Sequence, residues 1–241
     1  MLNQSRYALK ILEEAGMKDC NIVPMETGLI LEKLENEKEV NSTEFRRNVG
    51  CLRYLKGTTT LGISFIRSVE VPKLVGYSDS SHNMDPDDGR STAGHVFYLG
   101  KGPISWCSQK QDIVAISSCE VEFMAGTEAA KQAIWLQDLL SEITGASSES
   151  VTIHIDNKSS IALTKNPVFH GRNKRIHRRY HFIRECVENG QIEVEHVSRE
   201  EQKADILTKA LGRSKLNEMR NLIGVQDLKG EEFKLKGENV G

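Results

Sequence analysis

Apolar positions Leu2, Leu9 and Leu12 fall among polar neighbours at helical spacing over residues 2–16. Gly16 then closes the pattern, which predicts a short amphipathic helix. A turn follows from about Asn21 to Thr27, then a charged stretch, LEKLENEKEVNSTE. FRRNVGCLRYL repeats the helical pattern and ends at Gly57. This front third holds too few apolar positions to build a core of its own and reads as a small helical appendage. From Val71 the pattern changes. VPKLVGYSDSS is strand-like and stops at the turn-rich SHNMDPDDGRS. TAGHVFYLG and GPISWCSQK read as two further strands joined at Gly100-Lys101-Gly102, which predicts an antiparallel meander. Phe97 and Trp106, on these strands, read as core.

A long helix comes next. Ser117 and Glu120 have capping-box spacing, Phe123, Thr127, Ala130 and Ile134 recur at helical intervals, and Gly145 closes the segment. SVTIHID then predicts a buried strand and NKSSIALTKN a short helix. RIHRRYHFIRECVENG predicts a helix with Ile176, Tyr180, Ile183 and Val187 on one face. QIEVEHV alternates as a strand, EEQKADILTKAL predicts a final helix, and the polar residues from about Val225 onward are expected to fray. Three strands, helix, strand, helices, strand and helix make an α/β domain with a mixed sheet.

The chain has 241 residues, 38% of them hydrophobic and 27% charged, enough for a buried core and unlike a disordered chain. A formal charge of −2 excludes a generally basic protein, so any nucleic-acid site must be a local patch. Cys20, Cys51, Cys107, Cys119 and Cys186 are odd in number and include no CxxC pair. Neither a disulfide framework nor a zinc knuckle is suggested, and a reducing compartment fits best. The first residues lack the apolar core of a signal peptide, and no apolar run reaches the ~18 residues of a membrane span. The expected location is cytoplasmic, including virus-like particles, or nuclear, and not secreted.

Four acids stand where a rigid scaffold presents side chains into a shared cleft. Asp79 is at the end of the first long strand, Glu122 near the start of the long helix, Asp156 after the next strand and Asp205 at the last helix. Converging carboxylates raise one another's pKa values. Hard divalent cations, which prefer oxygen ligands, remove that cost, and two of them ~4 Å apart can activate water and stabilise the leaving oxygen of a phosphodiester. An Asp after a strand is equally an ordinary turn or cap residue, so spacing alone leaves both readings open.

The run LVGYSDSSHNMDPDDGRSTAGHVFYLGKGPISWCSQKQDIVAISSCEVEFMA resembles the RNase H domain of copia-type retrotransposon Pol polyproteins. VTIHIDNKSSIALTKNPVFHGRNKRIHRRYHFIRE and IEVEHVSREEQKADILTKAL resemble the same family in the same order. The resemblance implies an RNase H-like fold, a five-stranded mixed sheet flanked by helices on both sides. It places the catalytic and metal-ligating acids on Asp79, Glu122, Asp156 and Asp205. Glu120 competes with Glu122; the EFMA run favours Glu122 and leaves Glu120 a capping role. Two magnesium ions are implied, with manganese as an alternative, and the substrate is an RNA–DNA hybrid. Water attacks the RNA phosphorus and leaves 3′-hydroxyl and 5′-phosphate ends. This chain departs from the pattern at His82, Cys119 and His177, where the family more often has Trp, Thr and Asp. The catalytic His loop of cellular RNases H has no counterpart between Val197 and Asp205, and His196 is no obvious substitute.

RYALKILEEAGMKDCNIVPMETGL and EFRRNVGCLRYL resemble the end of the same family's reverse transcriptase. Two blocks that are separate in the family merge here through a shared CLRYL, as an internal deletion would produce. The polymerase's paired-Asp motif is absent. The expected division is a reverse-transcriptase remnant over 1–72, an RNase H-like domain over 73–212 and a tail over 213–241.

HGRNKRIHRRYHFIR is the most cationic stretch. With Ile176, Tyr180 and Ile183 buried, Arg175, Arg178 and Arg179 point outward and, with Arg172 and Lys174, offer phosphate contacts without reading sequence. A solvated helix face is the plainer account. His177 and His181 have metal-ligand spacing, but no motif completes a zinc site. Asn157 either orients substrate or caps the next helix. Two functions follow: hydrolysis of the RNA strand of a hybrid, or a transposon remnant that binds nucleic acid without cutting it. Oligomeric state is not legible in the sequence.

Overall fold

The structure, a computed structural model, describes residues 5–14, 59–63, 65, 72–82, 88–146, 149–165 and 181–227. The helix expected over FRRNVGCLRYL and the basic residues Arg172, Lys174, Arg175, Arg178 and Arg179 lie outside them. The chain forms two compact units. In the first, helix α1 (Ser5–Glu14) buries Ala8 and Leu12. Leu9 is 51% exposed, so the buried stripe runs through the i, i+4 pair Ala8 and Leu12 rather than through Leu9. Strand β1 (Leu61–Ile63) pairs antiparallel with β7 (Val225–Asp227). Residues 225–227 are therefore in a ladder, where the polar sequence had suggested fraying.

The second unit is built on a five-stranded sheet in the order β4-β3-β2-β5-β6. Its strands are β2 (Leu74–Ser80), β3 (Thr92–Leu99), β4 (Gly102–Lys110), β5 (Val151–Ile155) and β6 (Ile192–His196). β2, β3 and β4 form the expected antiparallel meander, while β5 joins β2, and β6 joins β5, in parallel. This is the mixed five-stranded sheet that the RNase H resemblance implies.

Helices cover both faces. On one lie α2 (Ser118–Thr144), α3 (Lys158–Lys165) and α4 (Phe182–Glu188), packing Phe123, Met124, Ile161 and Ile183 against Phe97, Ile153 and Ile155. On the other, Ala204 and Leu207 pack against Val96, Tyr98 and Tyr77 beside the short helix α5 (Asp205–Thr208). Phe97 and its neighbours Val96 and Tyr98 thus serve opposite faces, as strand alternation requires. A further helix, α6 (Arg213–Leu222), was not anticipated in the sequence.

α2 starts and stops as its sequence predicts. Ser117 Oγ accepts from the Glu120 amide at 3.2 Å, and Glu120 Oε2 accepts from the Ile116 amide at 2.9 Å. Gly145 ends the helix in the left-handed region at φ 67° and donates to the Ser141 carbonyl. Two further expectations fail. The helix expected over EEQKADILTKAL is only the single turn of α5. Before it, the Gln202 side chain engages the Ser78 carbonyl and the Ala204 amide; after it, Lys209 is extended at φ −123° and ψ 141°. Trp106 is 59% exposed rather than core, because it lies on β4, the edge strand, which has a neighbour on one side only.

α5 sits close on the sheet because residue 94 is glycine. A Cβ there would come within 2.7 Å of Thr208 Cγ2 and 2.8 Å of Leu207 Cβ. Gly94→Val should therefore cost ~1–3 kcal/mol through overpacking. Thermal unfolding should show this as a lower Tm, and an unchanged Tm would mean that α5 is not seated on β3 as described.

Candidate active site at the ends of β2 and β5

Parallel pairing of β2 with β5 sets Ser78 opposite Ile155, so Asp79 and Asp156 leave adjacent strands side by side at the same end of the sheet. Glu122, near the start of α2, meets them there. Ligand oxygens of Asp79, Glu122 and Asp156 all lie within 4.8 Å of one another. Asp79 is 0% exposed and Glu122 6%. Glu120 is engaged at the helix cap and lies outside this group.

Asp205 opens α5 and reaches the cluster through a cation. Lys209 Nζ lies 2.6 Å from Asp205 Oδ1 and 3.3 Å from Asp79 Oδ1. The Thr208 hydroxyl donates to Asp79 Oδ2. The Ser80 amide donates to Glu122 Oε1 at 3.3 Å, while Glu122 Oε2 is buried with no partner among the described residues. Arg199, largely exposed, brings Nε to 3.9 Å from Asp156 Oδ2. Gln202, fully buried, donates to the Ser78 carbonyl at 2.9 Å and so fixes the backbone next to Asp79.

Burial raises the Glu122 carboxyl to about 9, helped by the charges of Asp79 and Asp156 and opposed by its bonds to Ser80. Burial also raises Asp79, to about 6; Lys209 and Thr208 hold it down, and Asp205 and Asp156 push it up. For Lys209, burial works against the charge, but Asp79 and Asp205 outweigh it and leave the ammonium above its ordinary range.

These residues fit a divalent cation. The donor set is all carboxylate oxygen, suited to a hard ion, and Glu122 Oε2 is a buried acceptor without a donor. Asp79, Glu122 and Asp156 would hold such an ion together. Asp205 lies outside that group and is joined to Asp79 through Lys209.

Of the other residues singled out in the sequence, Asn157 caps α3, its Oδ1 accepting from the Ser159 and Ser160 amides at 3.0 Å each. His177 lies outside the described residues, and His181 Nδ1 sits 3.2 Å from Arg184 Nη1. The sequence reading overlooked Thr208, Lys209, Gln202 and Ser80. The i, i+4 pair Asp205 and Lys209 was a visible signal for one of them. Nothing local marks Gln202.

No protein-family model matches the chain. It is 40% identical over 174 residues to the retrovirus-related Pol polyprotein from transposon TNT 1-94 of Nicotiana tabacum, covering 72% of this chain. It is 35% identical to the Pol polyprotein from transposon RE2 of Arabidopsis thaliana, covering 93% of this chain. This chain belongs to the retrotransposon Pol polyproteins. It spans only 13% and 18% of the lengths of those two Pol polyproteins. The RE2 alignment runs over 262 positions against a chain of 241 residues, so that Pol polyprotein has a segment with no counterpart here. Among solved structures, RNase H1 from the archaeon Halobacterium salinarum aligns at a TM-score of 0.41 and 15% identity, over 56% of this Pol chain and 94% of that one.

The raised Glu122 carboxyl gives a pH signature. Its ordinary value of 4.5 applies to the unfolded chain, and about 9 to the folded one. Between these the folded state holds a proton that unfolding releases. This stabilisation is full below about 4.5 and is lost as pH rises through about 9. In EDTA, the Tm of the parent should fall relative to that of Glu122→Gln as pH rises across this window. A Tm gap that stays constant with pH would contradict the buried, proton-holding Glu122.

Proposed function

We propose that this chain hydrolyses the RNA strand of RNA–DNA hybrids, using two magnesium ions held by Asp79, Glu122, Asp156 and Asp205. The observation that carries this reading is the meeting of three carboxylates within 4.8 Å, two of them buried and one of those with an oxygen unpartnered among the described residues. Such a cluster is costly in a protein that has no cation to place there. When bound, the ions would supply Lewis acidity to activate water and to stabilise the leaving oxygen. The chain's own residues do the positioning. Asp79 is one of the three clustered acids and also shares Lys209 with Asp205, and so belongs to both halves of the site. The Ser80 amide and the Thr208 hydroxyl orient the Glu122 and Asp79 carboxylates. Gln202 ties the segment before α5 to the strand that bears Asp79.

The substrate is held by its phosphates. Arg172, Lys174, Arg175, Arg178 and Arg179 supply a local positive stretch in a chain of net charge −2. A remnant that binds without cutting is the second reading, favoured by the segment of RE2 that this chain lacks.

Purified protein should cut a labelled RNA–DNA hybrid in magnesium, and Asp156→Asn should lose that activity by orders of magnitude while staying folded by circular dichroism. No cutting by either folded protein would leave the binding remnant as the account. Replacing Arg175, Arg178 and Arg179 by Ala should weaken hybrid binding at all sequences. The slope of log K against log salt should shrink by ~0.9 for each phosphate that the variant no longer neutralises. An unchanged slope would make the stretch a solvated face.

A further inference from the structure

The site is asymmetric in charge. Asp79, Glu122 and Asp156 face one another with their oxygens within 4.8 Å. Asp205 instead faces Asp79 across the Lys209 ammonium, at 2.6 Å and 3.3 Å from the two carboxylates. One positive charge thus stands between two acids, at the place where a cation shared by Asp79 and Asp205 would stand. Resting on the metal-site reading above, we propose that Lys209 is a built-in counterion that occupies the Asp79–Asp205 half of the site until a divalent cation displaces it.

Three features support this role. Lys209 lies immediately after α5, one residue beyond Thr208, whose hydroxyl also binds Asp79; two consecutive side chains therefore converge on one carboxylate. The backbone leaves the helix at Lys209 in an extended conformation, so its side chain is not part of a helical face. The side chain remains 35% exposed, which gives the ammonium a path to water when it is displaced. Away from Lys209, the three-acid half meets only the largely exposed Arg199, whose Nε stands 3.9 Å from Asp156 Oδ2. A divalent ion entering there meets carboxylates and a distant, solvent-exposed guanidinium, while one entering between Asp79 and Asp205 must first expel an ammonium held at 2.6 and 3.3 Å. The two halves therefore load in order, and Lys209 sets the order.

The role predicts opposite effects on two readouts. In EDTA, Lys209→Met should lower Tm, because Asp79 and Asp205 then face each other without a cation. In manganese titrations followed by calorimetry, without nucleic acid, the same variant should bind at the Asp79–Asp205 half about tenfold more tightly than the parent, because no ammonium has to leave. Lys209→Arg should restore parental behaviour in both. The double variant Lys209→Met with Asp205→Asn should recover the stability that Lys209→Met forfeits in EDTA, which separates charge pairing from a general folding defect. Equal or weaker manganese binding by Lys209→Met, with clear binding by the parent, would overturn the counterion role alone. Binding by neither protein would overturn the metal-site reading and the counterion role with it.

Discussion

Three carboxylates within 4.8 Å of one another, two of them almost wholly buried, repel strongly in a medium that solvates charge poorly. The fold has to hold them together against that repulsion, and much of the second unit can be understood as the means of doing so. Glu122 answers by keeping a proton in the metal-free protein, with its carboxyl pushed up to about 9. Asp79 and Asp205 answer by sharing Lys209. The same charge that strains the protein would give affinity for a divalent cation, so on the proposed function stability and activity would pull on the same atoms in opposite directions.

The scaffold supplies rigidity at each point of convergence. Asp79 rides on the central strand, paired on both sides, and Asp156 follows the strand hydrogen-bonded beside it. Glu122 is fixed by a helix whose start is capped by Ser117 and Glu120. Asp205 comes from the opposite face of the sheet, where the absence of a side chain at Gly94 lets α5 settle against β3 and Gln202 ties the preceding turn to β2. Lys203 adds to this anchoring, its ammonium lying 4.1 Å from the Tyr98 ring centroid and 5.0 Å from that of Tyr77. Secondary elements rather than loops therefore carry three of the four acids, which suits a site that must resist its own charge.

Much of this was legible along the chain. Strand alternation, helical spacing and the cap residues around α2 are local signals, and they predict the meander and the long helix well. The long motifs point to the same four acids, and the structure places three of them in one cluster. What was not legible is non-local. Gln202 resembles any polar turn residue until its bond to Ser78, 124 residues away, is seen. Trp106 reads as core from its type and becomes exposed only because β4 ends the sheet. The EEQKADILTKAL pattern suits a helix, yet tertiary bonds from Gln202 and the extended backbone at Lys209 reduce it to four residues. Lys209 was overlooked because attention to acids in a sequence does not ask what stands between them.

The most direct test of the central claim is an anomalous diffraction map from crystals of the protein bound to manganese. The account predicts a peak ligated by Asp79, Glu122 and Asp156. At higher manganese it predicts a second peak between Asp79 and Asp205, with the Lys209 side chain turned away. Well-ordered crystals at saturating manganese with no peak among these carboxylates would contradict it.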